Sequence, residues 1–399
     1  MASGTALERQ NARLSQQFMA DECLQHATHR EGHASRKRIR DDIVMSLTLN
    51  VFVACAIDAR SEVHDISAEC TSDVPKYTAG VLSSGGCLDT IGCIAAGMRP
   101  IWGTEICERK RSLWRRLTGA DDLGDTFRAD WAKARRPNVI WSGQPCMDYS
   151  LSGSKTGTDG DTGWMFTSQT DVLLKVQPDT FVLEMVANAL KIAPAAVDKI
   201  VEIMSEKYDV QREVLRVAEH GDESNRERLF IVGVHHRLQA PKGIFKFPSP
   251  LQGHSRTARD IAVPDQDVPR RYWKRIHGIK PKDRMYKRTP GYLNKLVQLA
   301  PGMGHSSMPH AIYSWDGTFN TQTTHNGGGT RPSLKWTPGQ EIQWVRKTVP
   351  IEAARIASLP DDYVEWIKET DDSDEFAFQC INMGVPISTA TAINQQLIK

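Results

Sequence analysis

The sequence predicts an α/β protein, a mostly parallel sheet with helices on both faces, joined by a smaller basic domain. Three observations carry this reading. Short apolar runs that read as buried strands (Tyr77–Leu82, Pro100–Ile106, Asn138–Trp141, Thr180–Leu183, Val210–Val217, Leu229–Val234) alternate with helical stretches, Thr90–Gly97 and Pro194–Lys207. A turn of small residues, Ser83-Ser84-Gly85-Gly86, joins the first strand to the first helix. Residues 236–340 hold seventeen Lys and Arg against five Asp and Glu, although the whole chain of 399 residues has a net charge of only +2. That length allows one large domain and a smaller one.

Composition narrows the class. With 40% hydrophobic and 25% charged residues, this is the balance of an ordinary globular protein. The eight cysteines never form Cys-x-x-Cys and no histidines cluster near them, which argues against a zinc site or a disulfide framework. A reducing intracellular compartment is expected. Residues 1–40 are polar and end in the basic run Arg36-Lys37-Arg38-Ile39-Arg40, which reads as a nuclear import signal or a basic arm. Ile43–Ile57 is apolar but too short for a membrane span, and reads as a buried strand or helix.

In the main domain, the small residues after Tyr77–Leu82 let backbone approach a ligand, and the helix that follows offers free N–H groups. About 20 residues on, Glu105 ends the second strand, where an acidic side chain is placed to accept hydrogen bonds from ribose hydroxyls. The turn is not Gly-x-Gly-x-x-Gly, which counts against a dinucleotide. The strand Asn138–Trp141 runs into Gly143-Gln144-Pro145-Cys146, where proline ends the strand. Cys146 is thereby set in a loop at the carboxyl end of a strand, the place where open α/β sheets bind ligands. A lone cysteine is more often an inert buried side chain, yet a thiolate in such a loop is a strong nucleophile. Glu184 ends the strand Thr180–Leu183, where it either caps the next helix or serves the site. Within the basic region, Arg270–Lys295 mixes ten Lys and Arg with Tyr272, Trp273, Tyr286 and Tyr292, a composition suited to phosphate contact and base stacking. Thr323–Gly329 is a tight loop whose N–H groups suit phosphate.

Pro145-Cys146-Met147-Asp148-Tyr149-Ser150 resembles the nucleophile loop of the C5-cytosine DNA methyltransferases. Other motifs of that family follow in order. Leu82–Asp89 resembles its S-adenosylmethionine loop, with Ser84 for a glycine and Gly86, Leu88 and Asp89 in place. Gly124-Asp125-Thr126 resembles the segment whose carboxylate meets the adenine, with Asp130 an alternative. Gly160–Phe166 resembles the exit of the loop that closes over DNA. Glu184-Met185-Val186 resembles Glu-Asn-Val, and Ser224-Asn225-Arg226-Glu227-Arg228 resembles Gln-x-Arg-x-Arg. Arg346–Arg355, ended by Leu359–Tyr363, resembles the helix that supports the recognition domain, and Asn382–Pro386 resembles Gly-Asn-x-Val-Pro.

The resemblance implies a Rossmann-like, S-adenosylmethionine-dependent methyltransferase fold. Its expected parts are an N-terminal extension (1–75), a catalytic domain (76–235), a target-recognition domain (236–340) and a segment returning to the catalytic domain (341–399). It implies that a cytosine is flipped out of duplex DNA, that Cys146 attacks C6, and that Glu184 holds a proton at N3. Arg226 is expected to hold the base and orient Glu184, with Arg228 in support. Ser84, Gly86, Leu88, Glu105, Asp125 and Val385 are expected to line the S-adenosylmethionine site. No metal and no membrane partner are expected, and the chain is expected to be a monomer, nuclear in a eukaryote and cytoplasmic otherwise. Met185 and Met383 stand where the family has asparagine, which implies a slower or less stable enzyme. An RNA methyltransferase, chiefly for tRNA, lacks an extended basic domain, so residues 236–340 argue against it. Intact Cys146, Glu184, Arg226 and Arg228 argue against a silent DNA-binding paralogue, and a thiol hydrolase would need a histidine near Cys146.

Overall fold

The computed structural model describes residues 75–143, 149, 163–251, 257–280, 295–298, 311–319 and 330–398. In chain order, the main sheet takes β1 (Tyr77–Leu82), β2 (Met98–Gly103), β3 (Asp121–Asp122), β4 (Val139–Gly143), β5 (Thr180–Val186), β6 (Tyr208–Arg216) and β7 (Glu227–His235). Among the described residues their order is β3-β2-β1-β4-β5-β7-β6. All neighbours are parallel up to β5, while β7 runs antiparallel to both β5 and β6. The chain leaves β1 toward β2 and later returns to β4 on the other side, so the crevice between β1 and β4 is a topological switch point.

Alternation along the strands explains the helices on both faces. Val81, Trp141, Val182, Phe230 and Val232 enter one apolar cluster; Leu82, Ile140, Phe181, Leu183 and Ile231 enter another. Successive side chains point to opposite faces, and both faces here are apolar, so both need cover. The helices are α1 (Leu88–Ala95), α2 (Glu108–Thr118), α3 (Gly163–Val176), α4 (Ala189–Ile192), α5 (Pro194–Ser205), α6 (Pro350–Ile356), α7 (Asp362–Lys368), α8 (Asp374–Asn382) and α9 (Ile387–Leu397). Helices α1, α2 and α6–α9 supply the first cluster, and α3, α4 and α5 the second. The C-terminal helices are fastened to the first half of the chain. Trp141 Nε1 donates to Asn394 Oδ1 at 2.7 Å, and a Cβ on Gly92 would lie 2.6 Å from Ala390 Cβ.

A second sheet has the order β8-β12-β11-β10-β9, from β8 (Trp273–Ile279), β9 (Lys295–Gln298), β10 (Ala311–Tyr313), β11 (Thr330–Pro332) and β12 (Ile342–Lys347). It takes β12 from beyond residue 340, and the stretch before it sends Phe245, Val263, Val268 and Tyr272 into the first cluster of the main domain. Two boundaries differ from the sequence reading. β2 begins at Met98 and stops at Gly103, before Glu105. Arg346 belongs to a strand, not to the start of a helix, because Pro350 sets the first turn of α6 and keeps Val349 extended.

Arg346 and Glu352 join the two parts. Both side chains are fully buried, and the guanidinium donates to the carboxylate at 2.8 and 3.0 Å. Glu352 also accepts the N–H groups of Val263 and Val349, while Arg346 donates to the Val263 carbonyl. Glu352→Ala should therefore destabilise the fold by about 3–5 kcal/mol in urea titration, because it leaves a buried guanidinium with only Asp265, 3.4 Å from its Nε, as counter-charge. The double change Arg346→Met with Glu352→Leu should cost much less. A loss below about 1 kcal/mol for the single variant would mean that water replaces the carboxylate.

Candidate active site

The loops after β1 and β2 are bound to one another by backbone groups. Ser83 and Cys87, both in the left-handed region (φ 56° and 65°), turn the chain sharply on either side of Gly85, also at φ 51°. The Ser83 N–H donates to Thr104 Oγ1 at 3.1 Å and the Ser84 N–H to the Thr104 carbonyl at 2.8 Å. Glu105 is buried, and its two oxygens accept the N–H groups of Gly85 and Cys107, each at 2.9 Å. A carboxylate has about four lone-pair positions, so further donors can still reach it. A Cβ on Gly85 would meet almost open space.

Gly86 lacks a side chain for a different reason: a Cβ there would lie 2.2 Å from the Cys380 carbonyl oxygen. Its own carbonyl accepts a hydrogen bond from Tyr363 Oη. The close approach anticipated at Gly86 is thus made by α8. Leu88 is buried against Gly384, and Val385 is buried with its Cγ2 near Gly143. Ser84 is buried with its hydroxyl toward the Cys87 thiol.

Asp125 lies beside this turn, because Gly124 O accepts the Glu105 N–H at 2.8 Å. Its carboxylate accepts the Phe127 N–H at 3.0 Å and is 3.5 Å from Arg128 Nε. Asp130 is a surface residue paired with Lys133 at 2.8 Å, so Asp125 is the acid next to Glu105.

On the other side of the switch point, Cys146 lies outside the described residues, as do Gly160–Thr162 and Thr323–Gly329. Residues before and after it in the chain are placed. Gly143 pairs in register with Glu184, and Tyr149 is fully buried in the second cluster. Glu184 is 6% exposed and 2.7 Å from Arg228 Nε. The register explains the contact. Because β7 is antiparallel, Val186 faces Arg228 and Glu184 faces Phe230, which makes Glu184 and Arg228 diagonal neighbours on one face. Burial raises the Glu184 pKa, opposed first by Arg228 and then by Arg226. The nearer part therefore falls to Arg228, whereas Arg226 Nη2 donates to the Gly384 carbonyl at 3.3 Å. This exchanges the order expected for the two arginines.

The sequence places Asp89 in the cofactor-loop motif but assigns its carboxyl no separate part in the site. Asp89 is buried, accepts the Thr90 N–H at 2.6 Å, and is pushed up to about 7 by burial, with Glu184 and Glu105 adding to the effect. Asp89, Glu105 and Glu184 make this edge a carboxylate-lined site suited to a ligand with hydroxyls and a positive charge. Thr104 was also missed; its hydroxyl meets that of Thr126 at 2.7 Å while organising the glycine turn. Met185 is buried in the second cluster and Met383 is 45% exposed at the end of α8. In the basic region the charges are partly spent. Arg270 stacks on Trp344 at 4.8 Å, and Arg271 and Tyr272 Oη both bind Asp374 of α8, at 2.5 and 2.6 Å. Arg275 and Trp344 pair across β8 and β12, and both are exposed.

Fold and site together define a Rossmann-like methyltransferase. Residues 84–399 match the family described as C-5 cytosine-specific DNA methylase, and the chain belongs to that family. It is similar to the type II methyltransferase M.NlaX of Neisseria lactamica, 24% identical over 314 residues that cover 75% of this chain and 88% of that protein. It is also similar to M.HhaI of Haemophilus parahaemolyticus, 23% identical over 272 residues, covering 67% of this chain and 80% of that one. The solved Entamoeba histolytica methyltransferase EhMeth shares the fold, with a TM-score of 0.55 at 13% identity over 81% of this chain and 98% of that one. The chain is accordingly an enzyme that methylates cytosine at C5.

Asp89 carries a test of the site's electrostatics. Its folded pKa of about 7 lies above the ordinary 3.8, so it favours folding at low pH and loses that contribution as pH rises from about 4 through 7. In cofactor-free protein, Asp89→Asn should gain stability relative to the unaltered chain over that window, by about 4 kcal/mol at most. Paired thermal melts from pH 4 to 8 read the difference. A difference that does not vary with pH would place the Asp89 charge in water.

Proposed function

We propose that the chain transfers a methyl group from S-adenosylmethionine to a cytosine flipped out of duplex DNA, with Cys146 as nucleophile. The observation that carries this is buried Glu184, paired with Arg228 of β7, on the strand hydrogen-bonded to the one leading into Cys146. The residues around the glycine turn fit the cofactor: Glu105 retains capacity for ribose hydroxyls, Asp125 for the adenine amine, and Asp89, as a carboxylate, favours a sulfonium. Bound there, S-adenosylmethionine supplies an electrophilic methyl group for C5.

The Cys146 thiolate forms a bond to C6 of the base, and the electron pair of the C5–C6 double bond moves onto the ring. Glu184, raised by burial, holds a proton at N3, so the ring does not carry a full negative charge. Entry of the base removes water from the pocket and strengthens that hold. Arg228 fixes the carboxyl in position, and Arg226 faces the base oxygen. A base from solvent takes the C5 proton, and the electron pair of that C–H bond restores the double bond and expels the Cys146 thiolate. Residues 236–347, including the exposed pair Arg275 and Trp344, present the duplex to this edge; their positive charge suits a nucleic acid, and the presence of so extended a basic domain supports DNA over a folded tRNA as substrate.

A cytosine with fluorine at C5 tests the assignment. It accepts the thiolate and the methyl group but has no C5 proton to lose, so the protein should remain joined to a DNA duplex in denaturing electrophoresis. The band should require S-adenosylmethionine and vanish with Cys146→Ser, since a hydroxyl is a far weaker nucleophile. Glu184→Gln should slow its formation by roughly 10²–10⁴. Adducts on tRNA alone would move the substrate to RNA, and an adduct in Cys146→Ser would remove Cys146 from the reaction.

A further inference from the structure

Asn188 stands immediately before α4, where an asparagine ordinarily caps its own helix by accepting an N–H two or three residues on. It makes no such cap. Its Nδ2 instead donates to the carbonyl oxygen of Tyr149 at 3.0 Å, across 39 residues of sequence. Tyr149 lies three residues beyond Cys146, and Asn188 lies four residues beyond Glu184.

The contact acquires its meaning from what else holds this part of the chain. The loop bearing Cys146 leaves the sheet at Gly143, which the β4–β5 ladder ties to Glu184. Tyr149, three residues beyond Cys146, has its ring buried in the second cluster together with Met185. A ring packed among apolar side chains resists withdrawal into water. A directed hydrogen bond on the backbone adds a fixed orientation. Met185 offers no amide, because a thioether has no N–H to donate.

We infer that Asn188 is a positioning residue for the reaction: it fixes the Tyr149 carbonyl, three residues beyond Cys146, beside the carboxyl end of β5, the strand that carries Glu184. Gly143 and Tyr149, before and after Cys146 in the chain, are then both referred to that strand, so that attack at C6 coincides with proton delivery at N3. The inference rests on Cys146 being the nucleophile.

Asn188→Asp keeps the shape and removes the donor, and Asn188→Ala removes the side chain. Each is examined in the full chain by single-turnover adduct formation on a 5-fluorocytosine duplex, at saturating DNA and S-adenosylmethionine. The rate constant should fall by up to about 10²-fold, the cost of a misplacement near 1 Å. Affinities for duplex and cofactor should stay within about twofold, and Asn188→Asp should reach the full adduct amplitude. Amplitude reports how much protein is folded, whereas the rate constant reports geometry in the folded fraction. An unchanged rate constant in both variants, at any amplitude, overturns the inference while leaving the Cys146 assignment standing. No adduct in the unaltered chain overturns both.

Discussion

A carboxylate withdrawn from water must be neutralised by a proton or met by a cation, and Glu184 is held between these two outcomes. Its burial favours the proton; Arg228 at 2.7 Å favours the charge. Much of the sheet is arranged so that this balance exists at all. A parallel strand next to β5 would bring its carboxyl end to the site, and Arg228 lies near the amino end of β7. Reversing β7 turns that amino end to the same edge as the glycine turn, Glu105 and Gly143. The reversal leaves the layers intact, because alternate residues of β7 still feed both apolar clusters.

That edge was legible in the sequence where burial acts on whole strands. β1, β4, β5 and β7 are covered on both faces, so they stand out as continuous apolar runs rather than alternating ones. The second sheet was not legible. Its strands are short, and among the described residues only Ile276, Leu296, Ile312, Ile342 and Val345 make up its buried apolar cluster. The motif resemblance puts Arg346 in one helix with Glu352 and Arg355, yet the strand continues until Pro350 compels a new start. Residue types in the site could be read from motifs, but the division of work between Arg226 and Arg228 could not. Two residues of register decide which guanidinium meets Glu184, and register belongs to pairing in space. Thr104 and Asn188 were invisible for a related reason: each acts on backbone atoms of a distant segment, where the partner's side chain leaves no trace.

The basic region shows that charge counted along a sequence overstates charge offered to a polyanion. Arg271 is committed to Asp374 and Arg346 to Glu352, so both act as ties between the second sheet and the C-terminal helices. Exposed Arg275, with Trp344 beside it, is a different kind of group. Fixing the sheet in orientation and touching phosphate are separate tasks, and neighbouring arginines divide them.

Residues far apart in sequence complete the glycine turn. The missing Cβ of Gly86 is filled by the Cys380 carbonyl, Tyr363 closes on the Gly86 carbonyl, and Asn394 receives the indole of Trp141. None of these partners exists while a ribosome is still translating the first five strands. The nascent chain therefore leaves part of one apolar face of its sheet exposed, and its cofactor loop unsupported, until partners 253 and 277 residues further along the chain have been made. The fold closes late, and chaperone protection during synthesis matters most for the face that α6–α9 will cover.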